Sequence, residues 1–165
     1  MKKTLREIFR IGILALLLLA GSWSGLAAVP LKIVAFGDST TAFRSSIRQV
    51  YSQRLPALLK AKGLAAEVIN AGVGGSHTGS VKTSGRFGAK HATDRFEKEV
   101  RRQKPQIVVI QFGINDSWVD TGVDGGPSRI PLPDYERNLK LFVGALQADG
   151  ARVILMTPNR LGTRY

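Results

Sequence analysis

The sequence predicts an α/β fold, a three-layer doubly wound parallel sheet. Two patterns carry that expectation. Four short apolar runs rich in β-branched residues, at 33–36, 66–69, 107–112 and 153–156, lack the alternation of half-exposed strands; strands buried under helices on both faces read this way. Segments with apolar residues at helical spacing separate them, and strand–helix alternation with right-handed crossovers builds such a sheet.

Residues 1–28 stand apart from this pattern. Lys2, Lys3, Arg6 and Arg10 form a basic start, 11–20 is an apolar run, and Gly25-Leu26-Ala27-Ala28 supplies small residues, as in a cleaved export signal. The run is shorter than the roughly 20 residues needed to span a bilayer. Export to the periplasm or beyond is therefore expected, with an uncleaved N-terminal anchor as the alternative. The domain proper is expected over 29–165.

Past the first strand, Ile47, Val50, Tyr51, Leu55, Leu58 and Leu59 follow a helical stripe, with a kink or a fresh helix start expected at Pro56. Ala92, Phe96 and Val100 make a second stripe. Tyr135, Leu139, Phe142, Val143 and Leu146 make a third, with Gly150 placed to close it.

The 165 residues carry 24 Lys+Arg against 12 Asp+Glu and no Cys. Without the leader, 20 basic and 11 acidic residues remain, a net charge of +9. The densest basic group is Arg95, Lys98, Arg101, Arg102 and Lys104, near the end of the second helix. Cations there complement the helix dipole, so a solvated face is expected and nucleic acid is not a partner. The absence of Cys excludes disulfides, thiolate metal sites and a cysteine nucleophile.

In an open parallel sheet, ligands bind beyond the carboxyl ends of the strands. Strand one runs into Gly37-Asp38-Ser39-Thr40, strand two into Asn70-Ala71-Gly72-Val73-Gly74-Gly75, and strand three into Gly113-Ile114-Asn115-Asp116. One sheet edge thus receives a hydroxyl, a glycine-rich turn and a carboxamide. Acyl transfer needs this set, a nucleophile plus donors for a developing oxyanion. Singly, each motif is equally well a turn or a cap; in order, after three strands, they make a site. Dinucleotide and phosphate loops are excluded: the third glycine of Gly-x-Gly-x-x-Gly falls on His77, and no Gly-x-x-x-x-Gly-Lys occurs. Gly-x-Ser-x-Gly is also absent.

The three blocks, Val34-Ala35-Phe36-Gly37-Asp38-Ser39-Thr40, Asn70-Ala71-Gly72-Val73-Gly74-Gly75-Ser76 and Phe112-Gly113-Ile114-Asn115-Asp116-Ser117, resemble those of the SGNH hydrolases, also called GDSL-type esterases and lipases. The resemblance implies a flavodoxin-like sheet and metal-free, cofactor-free ester hydrolysis through an acyl-serine. Ser39 would be the nucleophile, and the Ser39 N–H, the Gly75 N–H and the Asn115 side chain the oxyanion hole. Gly74 takes the second donor's place if the loop register differs by one. Asp38, Thr40, Gly74 and Trp118 are the candidates for lining substrate, with Asp38 and Asp116 also tying their loops to backbone N–H groups. Trp118 either stacks on a sugar or closes the core.

The family's last block, Asp-x-x-His, is missing. His77 reads as a turn residue and His91 as solvent-facing before a helix. A serine without its base loses about 10⁶ in rate, so the chain alone is expected to be nearly inactive. Two explanations are open: a sheet incomplete at its C-terminus, which is favoured, or a pseudoenzyme that binds esters or glycans without cutting them. Thr40, where Leu is common in the family, and export resemble carbohydrate O-acetylesterases; lipase, arylesterase and thioesterase specificities stay open. The expected partner is a small-molecule or carbohydrate ester, with the membrane met only through the leader and no oligomeric state fixed by the sequence.

Overall fold

The computed structural model describes residues 29–84, 90–122 and 125–159; residues 1–28, where a leader is expected, and those from 160 lie outside them. Four parallel strands, β1 (Leu31–Gly37), β2 (Ala66–Gly72), β3 (Ile107–Gln111) and β4 (Arg152–Leu155), form one sheet in the order β2-β1-β3-β4. Helices α1 (Tyr51–Lys60), α2 (Ala92–Glu99) and α3 (Leu132–Ala148) lie between them, with a 3₁₀ turn at Arg101–Gln103 after α2. The doubly wound parallel sheet is therefore present.

Its centre is β1, whose inner residues Ile33 to Phe36 are all buried. Successive side chains point to opposite faces. Val34 and Phe36, with Val108, Ile110 and Phe112, pack against Phe96 and Val100 after α2 and Phe142 and Leu146 of α3. Phe36 meets Phe112 edge-on at 5.0 Å between ring centroids and Phe142 at 5.7 Å, the geometry that aromatic quadrupoles favour. On the other face, Asn70 of β2 donates to the Ser52 hydroxyl of α1.

The edges depart from expectation. β2 is only half-buried, and Ile154 and Leu155 of β4 are exposed, because among the described residues each edge strand has a neighbour on one side. β2 also runs on to Gly72, so Asn70, expected to open a loop, is a strand residue. Helix α1 begins at Tyr51, leaving Ile47 outside it. It runs through Pro56 without a new start; the proline forgoes only the bond it would have made to the Ser52 carbonyl. Helix α3 closes as predicted: Gly150 has φ +82°, with Ala151 N–H on the Leu146 carbonyl and Gly150 N–H on that of Gln147. This is the Schellman arrangement.

Candidate active site

The register brings three chain turns to one level. Gly37 at the end of β1 lies beside Gly72 of β2 and Gln111 of β3. The chain leaves β1 for β2 on one side and returns to β3 on the other, so the turn after Gly37 occupies the switch point where such sheets bind ligands. Glycine is required at this level by close packing. A Cβ on Gly37 would run into Thr41 and the Gln111 carbonyl, and one on Gly72 into the backbone of Thr41 and Ala42.

In the first turn, Thr41 and Ala42 N–H both donate to the Asp38 carbonyl. The buried Asp38 carboxylate accepts from the Thr40 N–H and hydroxyl, both at 2.8 Å. Burial raises its pKa above the ordinary carboxylate value, against the opposing pull of these two bonds and of Arg44 and Arg95. Asp38 is thus committed to its own turn and carries Thr40 with it. Ser39, between them, is half-buried.

The second turn is fixed at both ends. Asn70 donates to the Thr41 carbonyl at 2.7 Å, while its own oxygen accepts from Gly72 N–H. Ser76 N–H then closes back on the Val73 carbonyl at 3.2 Å. Within that closed turn Gly75 has φ +72°, the third-position conformation that only glycine takes readily. Gly74 is exposed, and a Cβ there would meet nothing within 4 Å.

The third turn docks on the second. Asn115 Nδ2 donates to the Ser76 carbonyl at 2.9 Å. Next to it, buried Asp116 accepts from both the N–H and the hydroxyl of Thr78. Burial raises the Asp116 pKa despite those bonds, and its second oxygen has no partner among the described residues. Arg129, unremarked in the sequence, braces this loop: it pairs with Asp120 at 2.6 Å and donates to the Asn115 carbonyl. Trp118 is 46 % exposed, so it does not close the core. A cavity of about 330 Å³ opens beside this turn, lined by Gly113, Asp116, Ile130 and Tyr135 among others.

His91, expected to face solvent, is buried, and His77 is the turn residue expected of it. His77 and His91 are buried and stacked, 3.5 Å between centroids. His91 Nδ1 faces the His77 N–H and its Nε2 the Ser84 carbonyl; His77 Nδ1 accepts from Gly79 N–H at 3.1 Å. Burial, then the neighbouring His91, lowers the His77 pKa to about 4. His77 Nε2 has no partner among the described residues.

Arg95 is the largest correction. Placed on a solvated face by its charge, it is 1 % exposed, with its guanidinium on the carbonyls of Gly37 and Ala71. The signal was its spacing: Arg95 sits three residues after Ala92 and beside Phe96, on the buried stripe of α2.

Residues 35–165 match the GDSL-like lipase/acylhydrolase family. The chain belongs to that family. Among the relatives of this GDSL-type chain is the uncharacterized lipoprotein YqeF of Bacillus subtilis (strain 168), 33% identical over 128 residues, which cover 76% of this chain and 47% of that protein. The lipase/acylhydrolase of Enterococcus faecalis superimposes with TM-score 0.60 at 30% identity, covering 81% of this chain and 60% of that one. A variant of Axe2, an acetyl xylan esterase from Geobacillus stearothermophilus, gives TM-score 0.58 at 28% identity, covering 78% and 60%. The chain thus spans about half the length of the curated relative and three fifths of the solved ones.

Proposed function

We propose that this chain supplies the nucleophile and the oxyanion donors of an exported ester hydrolase acting on O-acetylated carbohydrate. The Ser39 hydroxyl attacks the ester carbonyl, the alcohol leaves with a proton, and water releases the acyl group from Ser39. Negative charge on the former carbonyl oxygen is met by the N–H groups of Ser39 and Gly75 and by the Asn115 carboxamide.

One observation carries this reading, the bond from Asn115 to the Ser76 carbonyl. It uses one of two amide hydrogens and ties the carboxamide to the residue after Gly75, so that the other hydrogen and the Gly75 N–H can serve one oxygen. Gly74 is the weaker candidate for the backbone donor, since its position does not demand glycine. Similarity to acetyl xylan esterases supports the substrate class, and a lipoprotein relative supports export.

A second reading, a binding module that holds such esters uncut, is favoured by the two histidines. Both are buried and engaged with backbone, so turnover needs a base that these residues do not contribute. A fluorophosphonate probe and an acetylated xylo-oligosaccharide separate the readings, applied to the longest product of the reading frame that carries this chain. Labelling that vanishes in Ser39→Ala, with acetate release, supports the hydrolase. Sugar binding with neither labelling nor release supports the module, and equal labelling of parent and Ser39→Ala rejects Ser39 as nucleophile.

A further inference from the structure

Arg95 projects from α2 under the sheet end and joins two turns. One Nη donates to the Gly37 carbonyl at 2.7 Å and lies 3.4 Å from the Ser76 hydroxyl. The other donates to the Ala71 carbonyl and to Glu99 at 3.0 Å. Gly37 precedes the Asp38-Ser39 pair directly, and Ala71 leads through Gly72 into the turn of Gly75. The Gly37 carbonyl also accepts from Val73 N–H at 3.1 Å, so both turns meet at one oxygen.

A buried guanidinium is an expensive way to join two carbonyls. Its Nε has no partner among the described residues. Its ion-pair partner among the described residues, Glu99, is itself 37 % exposed, and the faces of Phe36 and Phe112 lie against it at 4.6 and 5.9 Å. A rigid planar fork fixes the separation of two acceptors, which a lysine ammonium cannot do. It also leaves positive charge behind the two turns.

We propose that Arg95 is a positioning residue: by holding the Gly37 and Ala71 carbonyls on one guanidinium, it sets the spacing between the Ser39 and Gly75 amides and biases the space they share toward an anion. This rests on the hydrolase reading for its chemical consequence but not for the clamp itself.

The test compares the parent with Arg95→Lys, Arg95→Met and Glu99→Gln, the last altering a half-exposed partner. Hydrogen–deuterium exchange reads the clamp without any reaction. Residues 37–42 and 72–76 are expected to exchange about ten-fold faster in both Arg95 variants, and together, while α3 keeps the parent rate. Fluorophosphonate labelling of Ser39 in the longest product of the frame reads the chemistry. Its maximal rate is expected to fall about 10²-fold in Arg95→Met, with the half-saturating probe concentration unchanged and part of the loss restored in Arg95→Lys.

Faster exchange in only one turn, or the parent labelling rate in folded Arg95→Met, overturns the proposal. If neither Arg95 variant folds, Glu99→Gln decides: a joint rise in exchange at both turns supports the clamp, and parent exchange overturns it. A parent whose Ser39 resists the probe while both turns still respond counts against the hydrolase reading and leaves the clamp supported.

Discussion

The imidazole rings of His77 and His91 lie face to face, 13° apart in plane, at the foot of the loop that carries Gly75. Stacked and buried, the pair holds its place only while uncharged, and the His77 pKa of about 4 expresses that. In the unfolded chain the same group titrates near 6.5. Between those values the unfolded state binds more protons, so stability falls as pH drops from about 6.5 to about 4 and levels off below. Asp38 and Asp116, whose pKa values are raised, contribute with the opposite sign at the acid end. Urea midpoints measured across this range for the parent and for His77→Gln isolate the histidine: the parent's slope should exceed the variant's. Parallel curves would show that the pair titrates normally.

Asn115 offers a sharper chemical test. Replacing it with Ala removes one bond to the Ser76 carbonyl, worth about 1 kcal/mol of stability. The same change is expected to reduce the maximal rate of ester cleavage by about 10² to 10³, with KM nearly constant, in the longest product of the frame. Asn115→Asp should be worse, since a carboxylate would face both the Ser76 carbonyl and the oxyanion. Steady-state kinetics on an aryl acetate check both.

The glycines of the first two turns should rank by geometry. Gly75→Ala forces a side chain into φ +72° and should cost about 1–2 kcal/mol. Gly74→Ala, where a Cβ meets open space, should stay within about 0.5 kcal/mol of the parent. Gly37→Ala, pressing on Thr41 and the Gln111 carbonyl, should cost about 3 kcal/mol or more. Denaturant titration of the three variants gives the order; Gly74 ranking with Gly37 would contradict it.

Trp118 is one of two tryptophans, the other being Trp23 in the stretch expected to be a leader. Being half-exposed, it should emit as a solvated indole. If it lies against the sugar, acetylated xylo-oligosaccharide should shift that emission to the blue, and Trp118→Ala should raise KM without lowering stability by more than about 0.5 kcal/mol. An unchanged spectrum at saturating sugar removes Trp118 from the binding surface.

The sequence disclosed what is local or periodic. β1, α3 and its Gly150 cap could be read directly, as could three turns at one sheet edge, because apolar period and strand-end position need no knowledge of distant partners. What it concealed depends on contacts across the fold. Arg95 reaches Gly37 over 58 positions of chain, and its charge argued for water until the carbonyls it serves were in view. His91 was misplaced for the same reason, since its neighbour in space, His77, is 14 residues away. The exposure of β4 follows from strand order, which alternation of elements alone does not fix.

The first residues of α2 serve two of the three turns at this edge. Ala92 and Thr93 N–H groups end on the carbonyls of His77 and Gly79, the Thr93 hydroxyl on that of Thr78, and Arg95 on those of Gly37 and Ala71. A saturation library over that short stretch should therefore show up in cells chiefly as altered abundance. Sorting for expression before assaying would discard the variants most informative about how the pocket is assembled.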